Sequence, residues 1–369
     1  MNIKKLKIEN FRNIDSLCIE PSEKMNVFFG ENAQGKTNIL EAVWLFCGSK
    51  SFRGSKDTEM LSFGKNFFKN EIEFFDGERD NTLKIAFSDK KEVYLNEVKK
   101  KGMGSIMGAF KAVVFTPDHL SLVKDGPEER RKFLDVAICQ IKKGYVSAYQ
   151  GYNKALIQRN NLLKDIPRRP DLLDTLFLWD EEIAKYGTVI LKARYEYLKE
   201  INCLAKKYYS GISDEKENFR MSYLCSAGMN LELSEAEIYK SFLKALEKTR
   251  KEDVKKGVTS VGPHRDDVNF YINDVSAKSF ASQGQQRSIV LTLKLSEGEY
   301  IFNKTGKKPV YLLDDVLSEL DEKRQSFILN NVKDSQVFIT CCDISSVLRL
   351  SAGKVFQVKN GFTELFKDF

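Results

Sequence analysis

Between the apolar run Met25 to Phe29 and a stretch with helical spacing at Ile39, Leu40, Val43 and Phe46 stands the segment Gly30-Glu31-Asn32-Ala33-Gln34-Gly35-Lys36-Thr37, which fits G-x-x-x-x-G-K-[ST]. Few motifs constrain a chain more. A strand must run into a loop whose glycines let backbone N–H groups wrap phosphates, and a helix must follow so that its N-terminus adds positive potential. In such a loop Lys36 reaches the β- and γ-phosphates of a nucleotide and Thr37 ligates Mg2+. The competing reading is a surface turn with an incidental lysine, and the flanking strand and helix argue against it.

A second element completes the chemistry. Val310-Tyr311-Leu312-Leu313-Asp314-Asp315 is a short apolar run ending in two acids, the form of a buried parallel strand that delivers carboxylates at its C-terminal edge. Asp314 would hold Mg2+ through its water shell, and Asp315 would orient or polarise an attacking water. Lys36, Asp314 and Asp315 are therefore the candidate catalytic residues. Taken alone, such a run is as readily a strand end with a helix N-cap; the upstream loop shifts the balance. Ser282-Gln283-Gly284-Gln285 opens a helical pattern through Ile289, Leu291, Leu293 and Leu295. A serine hydroxyl, a close glycine backbone and a helix N-terminus make an anion site, although a plain Ser N-cap is the simpler explanation until its place between loop and acidic strand is considered.

The rest of the chain sets the frame. Its 369 residues are 42% hydrophobic and 30% charged, enough for a sizeable core in two lobes. Three short strands are expected at Ile3 to Ile8, Leu17 to Ile19 and Met25 to Phe29, and an antiparallel meander between Glu71 and Val98, with turns at Asp76-Gly77 and Ser88-Asp89. From about residue 127 to residue 250 helix formers dominate, with breaks at Pro167-Arg168-Arg169-Pro170 and at the polar stretch 211–218. Strand signals return at 268–272, 310–313, 337–340 and 355–358, so the N- and C-terminal thirds are expected to share one sheet. The fold class is thus α/β: a nucleotide-binding lobe over residues 1–120 and 256–369, with the meander, and a helical lobe inserted over 121–255.

The formal net charge of +7 suits a polyanionic partner without requiring one. Seven scattered cysteines with no Cys-x-x-Cys pair give neither a disulfide framework nor zinc spacing, and a reduced cytoplasmic setting is the simplest expectation. Only His119 and His264 are available, which argues against a histidine triad or a multi-histidine metal site. No run is apolar for long enough to span a bilayer, so no membrane role is expected. From charge alone, Arg130-Arg131-Lys132 reads as a solvated helix face and Lys99-Lys100-Lys101 as a solvated loop. His264 and Arg265 follow a Pro turn, where a structural role competes with a nucleotide or DNA contact.

Taken in order, these elements resemble an ABC ATPase head of the SMC and RecF group. Ser282 to Gln285 looks like the S-x-G-Q signature, and Ser318-Glu319-Leu320-Asp321 looks like the D-loop, adding Asp321 to the nucleotide contacts. Further blocks resemble the RecF family: Asn10-Phe11-Arg12-Asn13; Ser51-Phe52-Arg53-Gly54, similar to an arginine loop; Phe115 to Leu120; Gly126 to Asp135; and Val261 to Asp267. Where transporter heads carry a switch histidine, Val337-Phe338-Ile339-Thr340 is followed by Cys341-Cys342-Asp343, which leaves Thr340 as a candidate.

The resemblance implies ATP and Mg2+ as cofactors, with the segment Gly30 to Thr37 of one copy capped by Ser282, Gln283, Gly284 and Gln285 of a second, in an ATP-dependent homodimer. It also implies binding to double-stranded DNA and to junctions of duplex and single strand, and action with RecR, RecO and RecA. Arg53, Lys99, Lys100 and Lys101 are the candidate phosphate contacts on DNA. A transporter motor is disfavoured by Ala281, where transporters place leucine. A long-armed SMC head is disfavoured too, because the insertion folded as a helical hairpin would reach only roughly 90 Å. A nuclease would need acids outside the 310–315 strand.

Overall fold

The computed structural model describes residues 1–343 and 353–369; residues 344–352 of the expected first lobe lie outside it. The described chain forms two compact units, one of Met1–Leu120, Gly211–Glu215 and Gln283–Phe369, the other of Ser121–Ser210 and Lys216–Ser282.

In the first unit, β1 (Asn2–Phe11), β2 (Ile14–Ile19) and β3 (Met25–Phe29) lead into α1 (Lys36–Leu45). β4 (Phe68–Phe75), β5 (Asp80–Phe87), β6 (Lys91–Leu95), β7 (Val98–Lys100) and β8 (Ala112–Phe115) follow. Short connections between successive strands favour antiparallel pairing, and one sheet runs β2-β1-β4-β5-β6-β7, antiparallel throughout. β4 shows the two-residue period of a half-covered sheet, with Phe68, Asn70, Ile72 and Phe74 buried. Phe11 of β1 meets Phe68 edge to face, ring centroids 5.3 Å apart, and so anchors the end of β1 where the chain turns.

The second unit holds α2 (Ser121–Lys124), α3 (Pro127–Cys139), α4 (Lys143–Asp165), most of α5 (Leu176–Ser213), β9 (Phe219–Leu224), α6 (Glu235–Lys256), β10 (Asp267–Ile272), β11 (Val275–Ser276) and α7 (Ala277–Phe280). Back in the first unit come α8 (Gln283–Thr305), β12 (Val310–Asp314), α9 (Glu322–Val332), β13 (Val337–Cys341), β14 (Gly353–Lys359) and β15 (Phe362–Asp368). The second sheet of that unit has the order β15-β14-β3-β13-β12-β8, parallel except for β15. β12 is buried along its whole length, as an apolar run covered on both faces must be.

Two expectations are corrected. The N- and C-terminal thirds do share one sheet, in which β3 and β8 lie among the C-terminal strands, but only in part: β1, β2 and β4–β7 form their own layer, and β10 lies with β9 and β11 in the second unit. That last pairing also moves the boundary, since the chain leaves the second unit between residues 282 and 283 rather than at 255. β9 escaped the sequence reading because it follows a polar stretch and carries Arg220 and Ser222; six residue pairs with β10 hold it as a strand.

The second unit is organised by buried ion pairs as well as by apolar packing. Arg130 is not on a solvated face. Its side chain is 3% exposed and forks onto Asp267 at 2.7 and 3.0 Å. Arg131 donates to the Asp266 carbonyl at 2.8 Å. Arg194 grips both oxygens of Asp135 at 2.8 Å and reaches the Pro263 carbonyl at 2.6 Å. The 126–135 and 261–267 blocks thus read as two halves of one polar core. His264 belongs to it: Tyr152 Oη lies 2.6 Å from Nδ1, the Thr259 carbonyl lies 3.0 Å from Nε2, and burial pushes the imidazole down to about 4.

Removing one partner from a buried, hydrogen-bonded pair strands the other charge. Arg194→Met is expected to lower the unfolding free energy by about 3 kcal/mol or more, because Asp135 stays behind without its partner. Urea unfolding followed by circular dichroism checks this; a loss below about 1 kcal/mol would show that water solvates Asp135 and that the pair does not organise the unit.

Candidate nucleotide site

The loop after β3 needs its glycines for steric reasons. A side chain at Gly30, whose φ is 153°, would meet the Val358 carbonyl oxygen at 2.3 Å, and one at Gly35, with φ 110°, would meet Asn13 Oδ1 at 2.6 Å. Supports come from three directions. Asn13 donates to the Ala33 carbonyl at 3.4 Å and accepts from Asn38 at 2.8 Å. The turn between β14 and β15 clasps Gln34, with Gly361 N–H on its carbonyl at 2.9 Å and Asn360 N–H on its Oε1 at 2.6 Å. Lys36 Nζ folds back onto the carbonyls of Gly30 and Glu31 at 2.6 and 2.7 Å, which places its ammonium inside the curve of the loop.

The acids stand directly beside it. Parallel pairing puts the end of β12 next to β13 and one strand further from β3. There Thr37 Oγ1 donates to Asp314 Oδ1 at 2.7 Å and Thr340 Oγ1 donates to the same oxygen at 2.8 Å. Thr340 Oγ1 also accepts the Asp315 N–H at 2.9 Å, so one hydroxyl holds both acids in register. Asp315 has a left-handed backbone, φ 51°, and accepts from Ser318 Oγ at 3.1 Å. Burial pushes the Asp314 carboxyl up from its usual value, while the hydroxyls of Thr37 and Thr340 and the charge of Arg53 pull it down.

Around α1 lies a network that only the resemblance hinted at. Glu41, fully buried, takes a forked pair from Arg12 at 2.9 and 2.8 Å and a hydrogen bond from Ser51, and Arg53 Nη1 lies 3.9 Å from it. Arg12 reaches on to Ser55 Oγ at 2.7 Å and the Glu59 carbonyl at 2.8 Å. Arg53 itself donates to Asn38 Oδ1 at 2.9 Å. Its loop is therefore fixed to the first turns of α1, on the side of Asp314 rather than with the lysine run. Lys99 sits on the edge strand β7, paired with Glu92 and 5.9 Å from the Tyr94 ring centre; Lys100 is half-buried and Lys101 exposed beyond it.

The signature residues stand elsewhere in the sheet. α8, which begins at Gln283, packs on β8, three strands from β3 and so roughly 14 Å away across the sheet. α8 and α9 pack on one another, and Asp321 caps α9 through the Arg324 N–H at 2.9 Å. Ser282 is the last residue of the second unit.

Residues 2–363 match the model of the RecF/RecN/SMC N-terminal domain. A protein of Acetivibrio thermocellus named DNA replication and repair protein RecF is 41% identical over 345 residues, 93% of this chain and 94% of that protein. One of the same name from Agathobacter rectalis is 40% identical over 372 residues and the full length of both. The chain belongs to the RecF family. Among solved structures, the recombination mediator protein RecF with ATPrS, described in the RecFOR pathway, superposes with a TM-score of 0.93 at 36% identity, covering 99% of this chain and 98% of that one. An Smc head domain from Pyrococcus furiosus, at 15% identity and a TM-score of 0.56, shares the fold.

Within this RecF-family head, Thr340 is buried beside the acids, its hydroxyl on the same Asp314 oxygen that Thr37 reaches. It is 1% exposed, and its hydroxyl is engaged by both acids. The exposed neighbour is Cys342, whose Sγ lies 3.0 Å from Asn32 Oδ1 and 3.8 Å from Lys36 Nζ, a position that sequence spacing could not assign. Thr340→Val should leave the Asp315 N–H unpaired and free the carboxylates to shift. ATP affinity is expected to stay within about twofold while turnover falls about tenfold, the scale of one buried hydrogen bond. Turnover equal to the parent's in a steady-state phosphate-release assay would show that Thr340 does not set the acids.

Proposed function

We propose that the chain is an ATP-gated DNA-binding protein of recombinational repair and replication, working in the cytoplasm as two copies that close when each binds ATP. One observation carries the reading. The phosphate loop and the acids meet through the Thr37–Asp314 hydrogen bond, while α8, which carries Gly284 and Gln285, packs on β8, three strands from β3, so a nucleotide on the loop is left for a second copy to cap. The RecF relatives solved as RecF-ATP and RecF-ATPrS support ATP as the ligand.

In this reading the loop amides from Gly30 to Gly35 and the start of α1 cradle the phosphates, and Lys36 turns from the loop carbonyls to the β- and γ-phosphates. Thr37 and Asp314 present hard oxygens 2.7 Å apart, a donor set that suits Mg2+, which when bound neutralises phosphate charge. Asp315 accepts or orients the attacking water, and Arg53, within electrostatic reach of Asp314, serves the phosphate side of the nucleotide. Ser282, Gln283, Gly284, Gln285 and Asp321 cap the ATP of the other copy. Hydrolysis is slow and works as a release switch, because only a ligand that prefers the closed state can hold it.

Duplex DNA and junctions of duplex and single strand are the bound polyanions, contacted by Lys99, Lys100 and Lys101 at phosphates rather than base edges. RecR, with RecO and RecA downstream, are the protein partners. Among the described residues no helix is long and apolar enough to cross a membrane.

The test is self-association. Ser282→Arg should bind ATP within about twofold of the parent, since its own phosphate loop is intact, yet fail to sediment as an ATP-dependent dimer, because the long side chain fills the place of the partner's γ-phosphate. A full-strength ATP-induced dimer of this variant would sink the composite site.

A further inference from the structure

One side chain joins the signature turn to the start of α9. Arg324 donates from Nε to Ser288 Oγ at 3.0 Å and from Nη2 to the Gly284 carbonyl at 3.2 Å, and its Nη1 pairs with the Asp321 carboxylate. Ser288 closes the ring by donating to the same Gly284 carbonyl at 3.0 Å. A longer tie runs parallel to it, Arg287 to Glu319 at 3.8 Å. The guanidinium is not needed for capping, because Asp321 caps α9 through the backbone N–H of Arg324 at 2.9 Å. Its planar fork is engaged instead on two elements 40 residues apart in sequence. A charge on a surface helix would ordinarily point to water. This one is three-quarters covered, with its side chain 25% exposed.

We propose that Arg324 is a positioning residue that makes the signature turn at Gly284 and the loop residue Asp321 a single rigid piece, so that both arrive together on the nucleotide held by a second copy. The inference rests on the composite-site reading above. The physical ground is geometric: a phosphate cap works only if its donors are held to within a fraction of an ångström, and although α8 holds the Gly284 backbone and the Arg324 N–H holds Asp321, neither bond fixes the one relative to the other. Charge-assisted hydrogen bonds from one planar group fix both at once. Lysine carries the charge but not the fork, so it can satisfy Asp321 or Gly284 but not the pair.

The experiment compares parent, Arg324→Gln and Arg324→Lys by ATP titration of the dilute single copy and by sedimentation across ATP concentrations. Expected are ATP affinities within about twofold of one another, an ATP-dependent dimer weakened about tenfold by Gln, and an intermediate value for Lys, the loss corresponding to the charge-assisted bonds removed. Asp321→Asn combined with Arg324→Gln should dimerise no more weakly than the poorer single variant, as members of one unit do not add. Dimerisation of Arg324→Gln at parental strength would overturn the proposal, and so would losses that add in the double variant or a matching fall in the single copy's ATP affinity. If Arg324→Gln does not fold, as judged by its melting curve, Ser288→Ala removes one of the same contacts and must weaken the dimer in the same direction. A parent that fails to dimerise with ATP at all would overturn the composite site, and this inference with it, whereas a dimerising parent with an indifferent variant would overturn the inference alone.

Discussion

The nucleotide site depends on a buried carboxylate that receives two hydroxyls. Asp314 lies at the end of a buried strand with no other charged residue along its length, and the bonds from Thr37 and Thr340 offset part of the cost of its burial. Each hydroxyl arrives from a different element: Thr37 from the first turn of α1, Thr340 from within β13. The parallel order of β3, β13 and β12 brings them to one point. A strand register shifted by one residue would turn Asp314 into the opposite face and leave the loop without its acid. Fold and chemistry are therefore specified by the same pairing.

Outside that point the molecule uses charge for architecture as much as for binding. Arg130, Arg159 and Arg194 are all buried in the second unit, each on an aspartate, and Arg12 is fixed on Glu41 behind the phosphate loop. A chain with 59 basic residues thus keeps several of its arginines from any external partner. Blocks that look basic in sequence are not automatically polyanion surfaces, and the lysines on the β7 edge are better placed for that role than the helical arginines.

The phosphate loop, the acidic strand and the meander were legible because each rests on local rules: glycines where a side chain would collide, an apolar run closed by acids, and alternation bounded by turns. What could not be read is what depends on partners distant in sequence. Arg130 looked solvated because nothing nearby announces Asp267, 137 residues away. β9 looked like loop because its strand character is supplied by β10. Thr340 was a candidate from its place in the chain alone; that its hydroxyl is held between Asp314 and the Asp315 N–H, and that Cys342 lies beside Lys36, depends on strands far apart in sequence. The split into two sheets within one unit follows from which strands are joined by hairpins and which by crossovers, and spacing alone does not reveal it.

If ATP closes two copies, basic edges that are separate on each copy come to act on one duplex, and that is the claim on which the functional account stands. The measurement that tests it most directly is a salt titration of duplex-DNA affinity with ATP, with ADP and without nucleotide. The account predicts tighter binding and a steeper fall with salt under ATP, by roughly one unit of slope for each additional phosphate contact, since every neutralised phosphate releases counterions. Three superimposed curves, or no duplex binding under any condition, would contradict it.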